Sequence, residues 1–170
     1  LRANYQISPA LQAKAEYVYQ DNDRSNEHAG YVLLSYQFTD AAYQPALSYR
    51  YSHFSDHYDA MFYGNTTGPG GWVQGEVAGN YAGPNNRNAD IHQLSFSISP
   101  KENLMLGAMA YRFETINKTE QDLSGYELDL YSVWSINKHI NVIPLMGLYK
   151  PDQDIAMSGS QFPDRDLNVY

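Results

Sequence analysis

The stretch ALSYRYSHF, residues 46–54, decides the fold of this 170-residue chain. Two rows of unlike residues alternate along it: Leu47, Tyr49, Tyr51 and His53 against Ala46, Ser48, Arg50 and Ser52. A two-residue period is typical of an extended strand with two different faces. In a soluble sandwich the apolar row would point into a protein core, whereas in a membrane barrel it would point outward into lipid.

The same alternation recurs along most of the chain and predicts an all-β, antiparallel protein. About nine strands are expected, at residues 1–6, 11–20, 29–38, 46–54, 91–99, 103–113, 125–136, 140–149 and 165–170. Several run to about ten residues, the length of a tilted membrane strand, whereas strands of soluble sheets average five or six. Pro144 cannot donate a ladder hydrogen bond, so it requires a bulge or an edge within the eighth strand.

Composition excludes several classes of protein. The mean hydropathy of −0.54 is low, but a barrel with a polar lumen has only half of its strand residues facing lipid. No apolar run of about eighteen residues is present, which excludes a transmembrane helix in this sequence. The net charge of −8 argues against nucleic acid as a partner. Without cysteine, neither a disulfide nor a thiolate metal site can form.

The predicted connections alternate in length. Short ones fall at 7–10, 39–45, 99–103 and 136–139, and longer ones at 21–28, 54–90, 114–124 and 150–165. Outer-membrane barrels have tight turns on the periplasmic side and long loops outside. Residues 1–170 are therefore predicted to be a single segment of a transmembrane β-barrel of outer-membrane type. Within it, residues 54–90 form one long excursion, either extracellular or folded into the lumen.

Inside this excursion, WVQGEVAGNY (72–81) alternates like a strand. Counting it as one complete span would place the short turn at 99–103 outside and reverse every later assignment. We therefore predict a helix, a hairpin arm or a plug-like segment near the mouth. The alternative is that a second short strand, YDAMFYG (58–64), restores the alternation.

Charged residues on the polar parity of the strands are the candidate channel lining. They are Lys14, Glu16, Arg50, Glu76, Arg112, Glu127 and Asp129. Arg112 is included because its charge suggests that the even-numbered positions of its strand face the interior of the barrel. Glu127 and Asp129 lie in mid-strand, where a dry core would make them costly and a water-filled lumen would not. Tyr and Trp near strand ends fit an aromatic belt at the membrane interface.

Four phrases carry a family resemblance: GYVLLSYQFTDAAYQPALSYRYSHFSD (30–56), YDAMFYG (58–64), WVQGEVAGNY (72–81) and GYELDLYSVWSINKHINV (125–142). Together they resemble the alginate-export family of outer-membrane barrels. The resemblance implies a barrel of about eighteen strands, of which this chain is the C-terminal half, and a pore that passes an anionic polysaccharide. The start without Met and the end at DLNVY fit a piece of a longer protein.

The resemblance also implies the partners: lipid of the bacterial outer membrane, an anionic polysaccharide or similar solute, and the rest of the barrel or another envelope protein. The predicted lining departs from this expectation, because it is mixed and slightly acidic where a polyuronate pore calls for Arg and Lys. Three explanations stay open. The missing half supplies positive charge, the carboxylates hold neighbouring arginines in place, or the cargo is not alginate.

Other chemistry has little support in the sequence. His53 and His57, with Asp56 and Asp59, could bind a divalent metal at the loop mouth, but a solvated loop is favoured, and no metal or cofactor is expected. No Gly-x-Ser-x-Gly motif or nucleophile partner points to an enzyme. The expected function is a porin-like channel for a charged saccharide; the alternative is a non-conducting structural or binding barrel in a larger envelope assembly.

Overall fold

The computed structural model of the protein describes residues 1–21, 25–59, 75, 77–78, 86–154 and 166–169. Ten β-strands are assigned in these ranges: β1 (Arg2–Gln6), β2 (Leu11–Asp21), β3 (Asn26–Gln37), β4 (Ala46–Phe54), β5 (Ala89–Lys101), β6 (Leu104–Thr115), β7 (Gly125–Asn137), β8 (Ile140–Val142), β9 (Leu145–Pro151) and β10 (Asn168–Val169). No helix among the described residues is long and apolar enough to cross a bilayer.

The strands form one antiparallel sheet that follows the order of the chain. The order is β1-β2-β3-β4-β5-β6-β7-β9-β10, and β8 also pairs with β7. Each strand therefore pairs with its neighbour in sequence, as expected where short turns join segments of alternating polarity. The predicted all-β, antiparallel fold is confirmed, and in the described part of the chain β1 and β10 are the two ends of the sheet.

Pro144 divides the eighth predicted strand in two. The segment expected at 140–149 is observed as β8 and β9, with residues 143–144 between them. The carbonyl of Pro144 still accepts a hydrogen bond of 3.1 Å from the amide of Ser132 on β7. Proline interrupts the ladder because it has no N–H to donate, so ten strands are assigned where nine were predicted.

Connections gather at two ends of the sheet. The short-turn end contains 7–10, 38–45, 102–103 and 138–139, and the long-loop end is where β2, β4, β6 and β9 end and where β3, β5, β7 and β10 begin. The loop predicted at 21–28 is shorter than expected, because β2 and β3 pair as far as Asp21 and Asn26. β4 pairs directly with β5, and Phe54 is opposite Ala89 at this end of the sheet. The alternative strand at 58–64 falls largely outside the described residues.

One face of the sheet is apolar and exposed; we call it the apolar face. Its exposed side chains include Val32, Leu34, Tyr36, Leu47, Tyr49, Leu94, Phe96, Leu106, Tyr126, Leu128, Leu130, Trp134 and Met146. The register aligns them across strands, as in the row that joins Leu34, Tyr49 and Leu94. A contiguous exposed apolar surface on this scale is unusual for a soluble monomer.

The opposite face carries the polar alternates and also the buried core; we call it the polar face. The core residues are Val77, Ala78, Ala89, Ile91, Met109, Tyr111, Phe113, Tyr131 and Tyr149. The sheet is concave on this side, because residues of β1 and β2 line the same cavity of about 410 Å³ as residues of β6 and β7. Packing thus concentrates over β5 to β9, near the long-loop end.

Polar side chains bound the apolar face at the long-loop end. Asp90 accepts hydrogen bonds from the hydroxyl of Tyr51 at 2.6 Å and contacts Nδ1 of His53 at 2.8 Å. Farther along, the guanidinium of Arg112 lies 4.3 Å from the ring centre of Tyr126 and donates to Asp152 at 2.7 Å. The apolar surface therefore ends in a belt of aromatic and ionisable groups.

Candidate functional site

A single row of directly opposed residues carries three of the predicted lining residues across the polar face. Through successive strand pairs, Lys14 on β2 is linked by Leu33 to Arg50 on β4, and Arg50 by Gln93 and Tyr111 to Glu127 on β7. Glu16 lies one row nearer the long-loop end and Asp129 one row nearer the short-turn end. These five residues share one face of the sheet.

Arg50 lies at the centre of the polar face and is partly exposed. Its guanidinium carbon is 5.0 Å from the ring centre of Tyr31, a cation–π distance. Two strands away, Glu16 is bound by Arg2 through two hydrogen bonds, from Nε at 3.1 Å and from Nη2 at 3.0 Å. The fork of Arg2 offsets the charge of Glu16.

Glu127 and Asp129 are buried, with exposed fractions of 3% and 0%. The expectation that open water solvates these two carboxyl groups is therefore wrong. The backbone amides of Val77 and Ala78 each donate to one oxygen of Glu127, both at 2.7 Å. These two amide donors replace hydrogen bonds that the buried carboxyl group loses from water.

The residues that cover these carboxylates belong to the excursion between β4 and β5; we call Gly75, Val77 and Ala78 the covering segment. Val77 and Ala78 have helical backbone and are fully buried. Gly75 has a φ of +76°, and a Cβ there would lie 2.7 Å from the carboxyl carbon of Glu127. Glycine is thus required both by the backbone conformation and by the close carboxylate.

Gly147 on β9 gives the covering segment room to approach. A methyl group at Gly147 would overlap Cγ2 of Val77 and would lie 3.1 Å from Oδ1 of Asp129. We expect Gly147→Ala to lower the free energy of unfolding by about 1–3 kcal/mol through overpacking, measured by urea titration. In a Val77→Ala background the same change should cost less than half as much, and an undiminished cost would contradict this contact.

Arg112 lies on the other face, which corrects the prediction that it lines the interior. On β6 it is directly opposite His92 of β5 and Tyr126 of β7, and it contacts Glu114 and Asp152 at the belt. A single arginine near the end of a strand is a poor guide to facing, because belt positions are charged as well. Glu76 lies outside the described residues.

Polar contacts join the connections at the long-loop end. Asn117 donates to Asp56 at 2.6 Å and pairs with Asn88 through two hydrogen bonds of 2.7 and 2.8 Å. Burial opposes ionisation of Asp122, but hydrogen bonds from Lys118 and Ser124 bring the pKa of its carboxyl below the ordinary value. Connections that are far apart in sequence are thereby held to one another.

The two histidines proposed as metal ligands at the loop mouth lie in different surroundings. His53 faces the belt, with Nδ1 toward Asp90 and Nε2 at 3.2 Å from His28, whereas the amide of His57 donates to Glu27 at 3.2 Å. No group of three or more potential metal ligands is found in the ranges that the structure describes. His53 and His57 therefore contact different partners.

Sequence reasoning missed the groups that surround the predicted residues. Arg2, Gln93, Tyr111 and the covering segment all contact them or each other; Gln93, for example, donates to the hydroxyl of Tyr111 at 3.0 Å. Parity placed Gln93 and Tyr111 on the polar face, but only the register shows that they separate Arg50 from Glu127. Comparisons with protein-family models, with curated proteins and with solved structures found no match to this chain.

Proposed function

We propose that this chain forms part of the wall of an outer-membrane β-barrel and that its pore passes a charged saccharide. The observation that carries the proposal is the inverted polarity of the sheet: a broad set of large apolar side chains is exposed on one face, while Lys14, Arg50 and Glu127 lie in one row on the concave face. Barrels in lipid require this arrangement, because hydrocarbon surrounds them and water fills them. The family that fits is the alginate-export type.

The height of the apolar face supports lipid as its environment. On β7 the exposed residues run from Ile136 near the short-turn end to Tyr126 at the belt. Ten residues of strand span about 33 Å, which a tilt of about 40° reduces to roughly 25 Å of membrane thickness. Tyr126 and Trp134 lie toward the two ends of this run, where amphipathic rings are favoured.

Burial of two acidic side chains supports an anionic cargo. Glu127 and Asp129 are covered, and Glu16 is paired with Arg2. Among the described residues of the polar face, the accessible charge thus comes mainly from Lys14 and Arg50, with Arg2 offsetting Glu16. A cationic wall attracts and passes polyanions such as polyuronates.

Ion selectivity tests the proposal. We expect Arg50→Gln to lower the ratio of anion to cation permeability by roughly twofold or more, because a lining cation is lost. The measurement is the reversal potential in planar bilayers under a salt gradient, made on the full-length protein, followed by block of the current with a uronate oligomer.

Arg112→Gln is the matched control, since it makes the same change on the apolar face. It should leave the permeability ratio unaltered. An unchanged ratio in Arg50→Gln, or equal changes in both variants, would count against Arg50 as a lining residue and against this pore.

A second candidate is a barrel that does not conduct, acting as a structural or binding partner in the envelope. The covering segment favours it, because Val77 and Ala78 occupy space over the polar face. The two candidates differ in resting conductance: a structural barrel gives no channels in the bilayer, whether or not uronate is present.

A further inference from the structure

A second row on the polar face has no charged residue and no assigned role over β1 to β5; farther on, through Met109, it reaches the buried Asp129. It joins Gln6, Gln12, Ser35, Ser48 and Ser95 through direct pairing on five consecutive strands. Neighbouring strands lie about 4.8 Å apart, so the row presents one small polar side chain about every 4.8 Å over roughly 19 Å. We call it the serine row.

The serine row lines the concave cavity of about 410 Å³ near the short-turn end, together with Ser97. Every side chain in the row is at least partly exposed. In the described part of the chain, the hydroxyls of Ser35, Ser48 and Ser95 make no hydrogen bond to the protein. They are therefore available to a ligand, and a cavity of this volume suits a small molecule or a short length of polymer.

The chemistry of the lining limits what the cavity binds. None of its lining residues is charged, and hydroxyls and amides both donate and accept hydrogen bonds. A ligand dense in hydroxyl groups matches such a wall, and the spacing of the row is on the scale of one sugar ring. Phosphate or nucleic acid would require clustered cations, which this cavity does not have.

The charged row that contains Lys14 and Arg50 lies next to the serine row. Arg50 follows Ser48 by two residues on β4, and Lys14 follows Gln12 by two residues on β2, so each pair lies on one face about 7 Å apart. We propose that the serine row is a saccharide-binding subsite, in which Ser35, Ser48 and Ser95 hydrogen-bond the hydroxyls of an extended oligosaccharide while Arg50 and Lys14 receive its carboxylates. This assignment rests on the proposed function and identifies the hydroxyl groups of the saccharide as the groups that the serine row binds.

Binding by calorimetry tests the subsite without requiring conduction. The full-length protein in detergent is titrated with a neutral hexose oligomer and with a uronate oligomer of equal length. We expect the triple variant Ser35→Ala, Ser48→Ala, Ser95→Ala to weaken neutral-oligomer binding about tenfold or more, because three hydrogen bonds are lost. Affinity for the neutral oligomer should not depend on salt, whereas that for the uronate should fall as salt rises.

Two controls sharpen the result. Ser132→Ala removes a hydroxyl from the apolar face and should leave binding unchanged, and the triple Ser→Thr variant keeps the hydroxyls and should retain affinity. The proposal is overturned if the neutral oligomer does not bind or if the triple alanine variant binds it with normal affinity. It is also overturned if the triple threonine variant loses as much affinity as the alanine variant.

The failure of the subsite and the failure of the channel give different results. A protein that conducts with Arg50-dependent selectivity but binds no neutral oligomer retains the channel and loses the subsite. A protein that binds the oligomer through its serines but forms no conducting pore retains the subsite and loses the channel.

Discussion

Leu34→Arg should destabilise the protein in lipid by about 2–4 kcal/mol, whereas Leu33→Arg should cost clearly less. The two leucines are adjacent on β3 and differ in face: Leu34 is 47% exposed on the apolar face, and Leu33 lies on the polar face between Lys14 and Arg50. A guanidinium in the hydrocarbon loses hydration that a water-filled lumen preserves. Repulsion from Lys14 and Arg50 adds to the cost of Leu33→Arg. The difference in stability between the two variants therefore understates the effect of the lipid.

The measurement is the free energy of unfolding in lipid vesicles by denaturant titration, with insertion into membranes as a second readout. A soluble sheet predicts the reverse order, because arginine is harmless at the more exposed position in water and costly at the less exposed one. A greater loss at Leu33 would therefore reject the membrane assignment outright.

Glu127→Ala should release the covering segment from the polar face. The carboxyl group of Glu127 accepts hydrogen bonds from the amides of Val77 and Ala78, and loss of these two buried hydrogen bonds costs about 2 kcal/mol or more. In native-state hydrogen exchange, these two amides should exchange roughly 30-fold faster, since 1.4 kcal/mol corresponds to a factor of ten. This readout holds whether or not the protein conducts.

If the proposed pore is correct, the same variant should also raise single-channel conductance, because the covering segment lies over the lumen wall. Glu120→Ala is the control, a carboxylate removed from an exposed loop. Faster exchange with unchanged conductance would show that the covering segment is anchored by Glu127 without narrowing the pore. Unchanged exchange at Val77 and Ala78 would contradict the anchor itself.

The strands were predictable because periodicity is a local property. Alternation in 46–54 or 125–136 identifies a strand and both of its faces without knowledge of any neighbour, and the break near Pro144 follows from a missing donor. Arg112 shows the limit of this reasoning. Its charge suggested the interior, but only the pairing with His92 and Tyr126 places it on the belt.

The candidate site was less predictable, because it depends on long-range packing. Nothing near Glu127 in sequence reveals that Val77 and Ala78, some fifty residues earlier, would supply its hydrogen-bond donors. Parity groups Asp129 with Glu127 but does not reveal its burial, since burial depends on what lies above the sheet. The serine row likewise exists only once five registers are known.

The order of the strands has a consequence for how the protein reaches its native state. Because every strand is hydrogen-bonded to the one that precedes or follows it, the loops to be closed are short, apart from the connections between β4 and β5 and between β9 and β10. Low contact order favours rapid, stepwise growth of the sheet by successive hairpins. Joining β4 to β5 carries the largest loop-closure entropy, so we infer that this junction is the slowest to form and divides folding into an early and a late half.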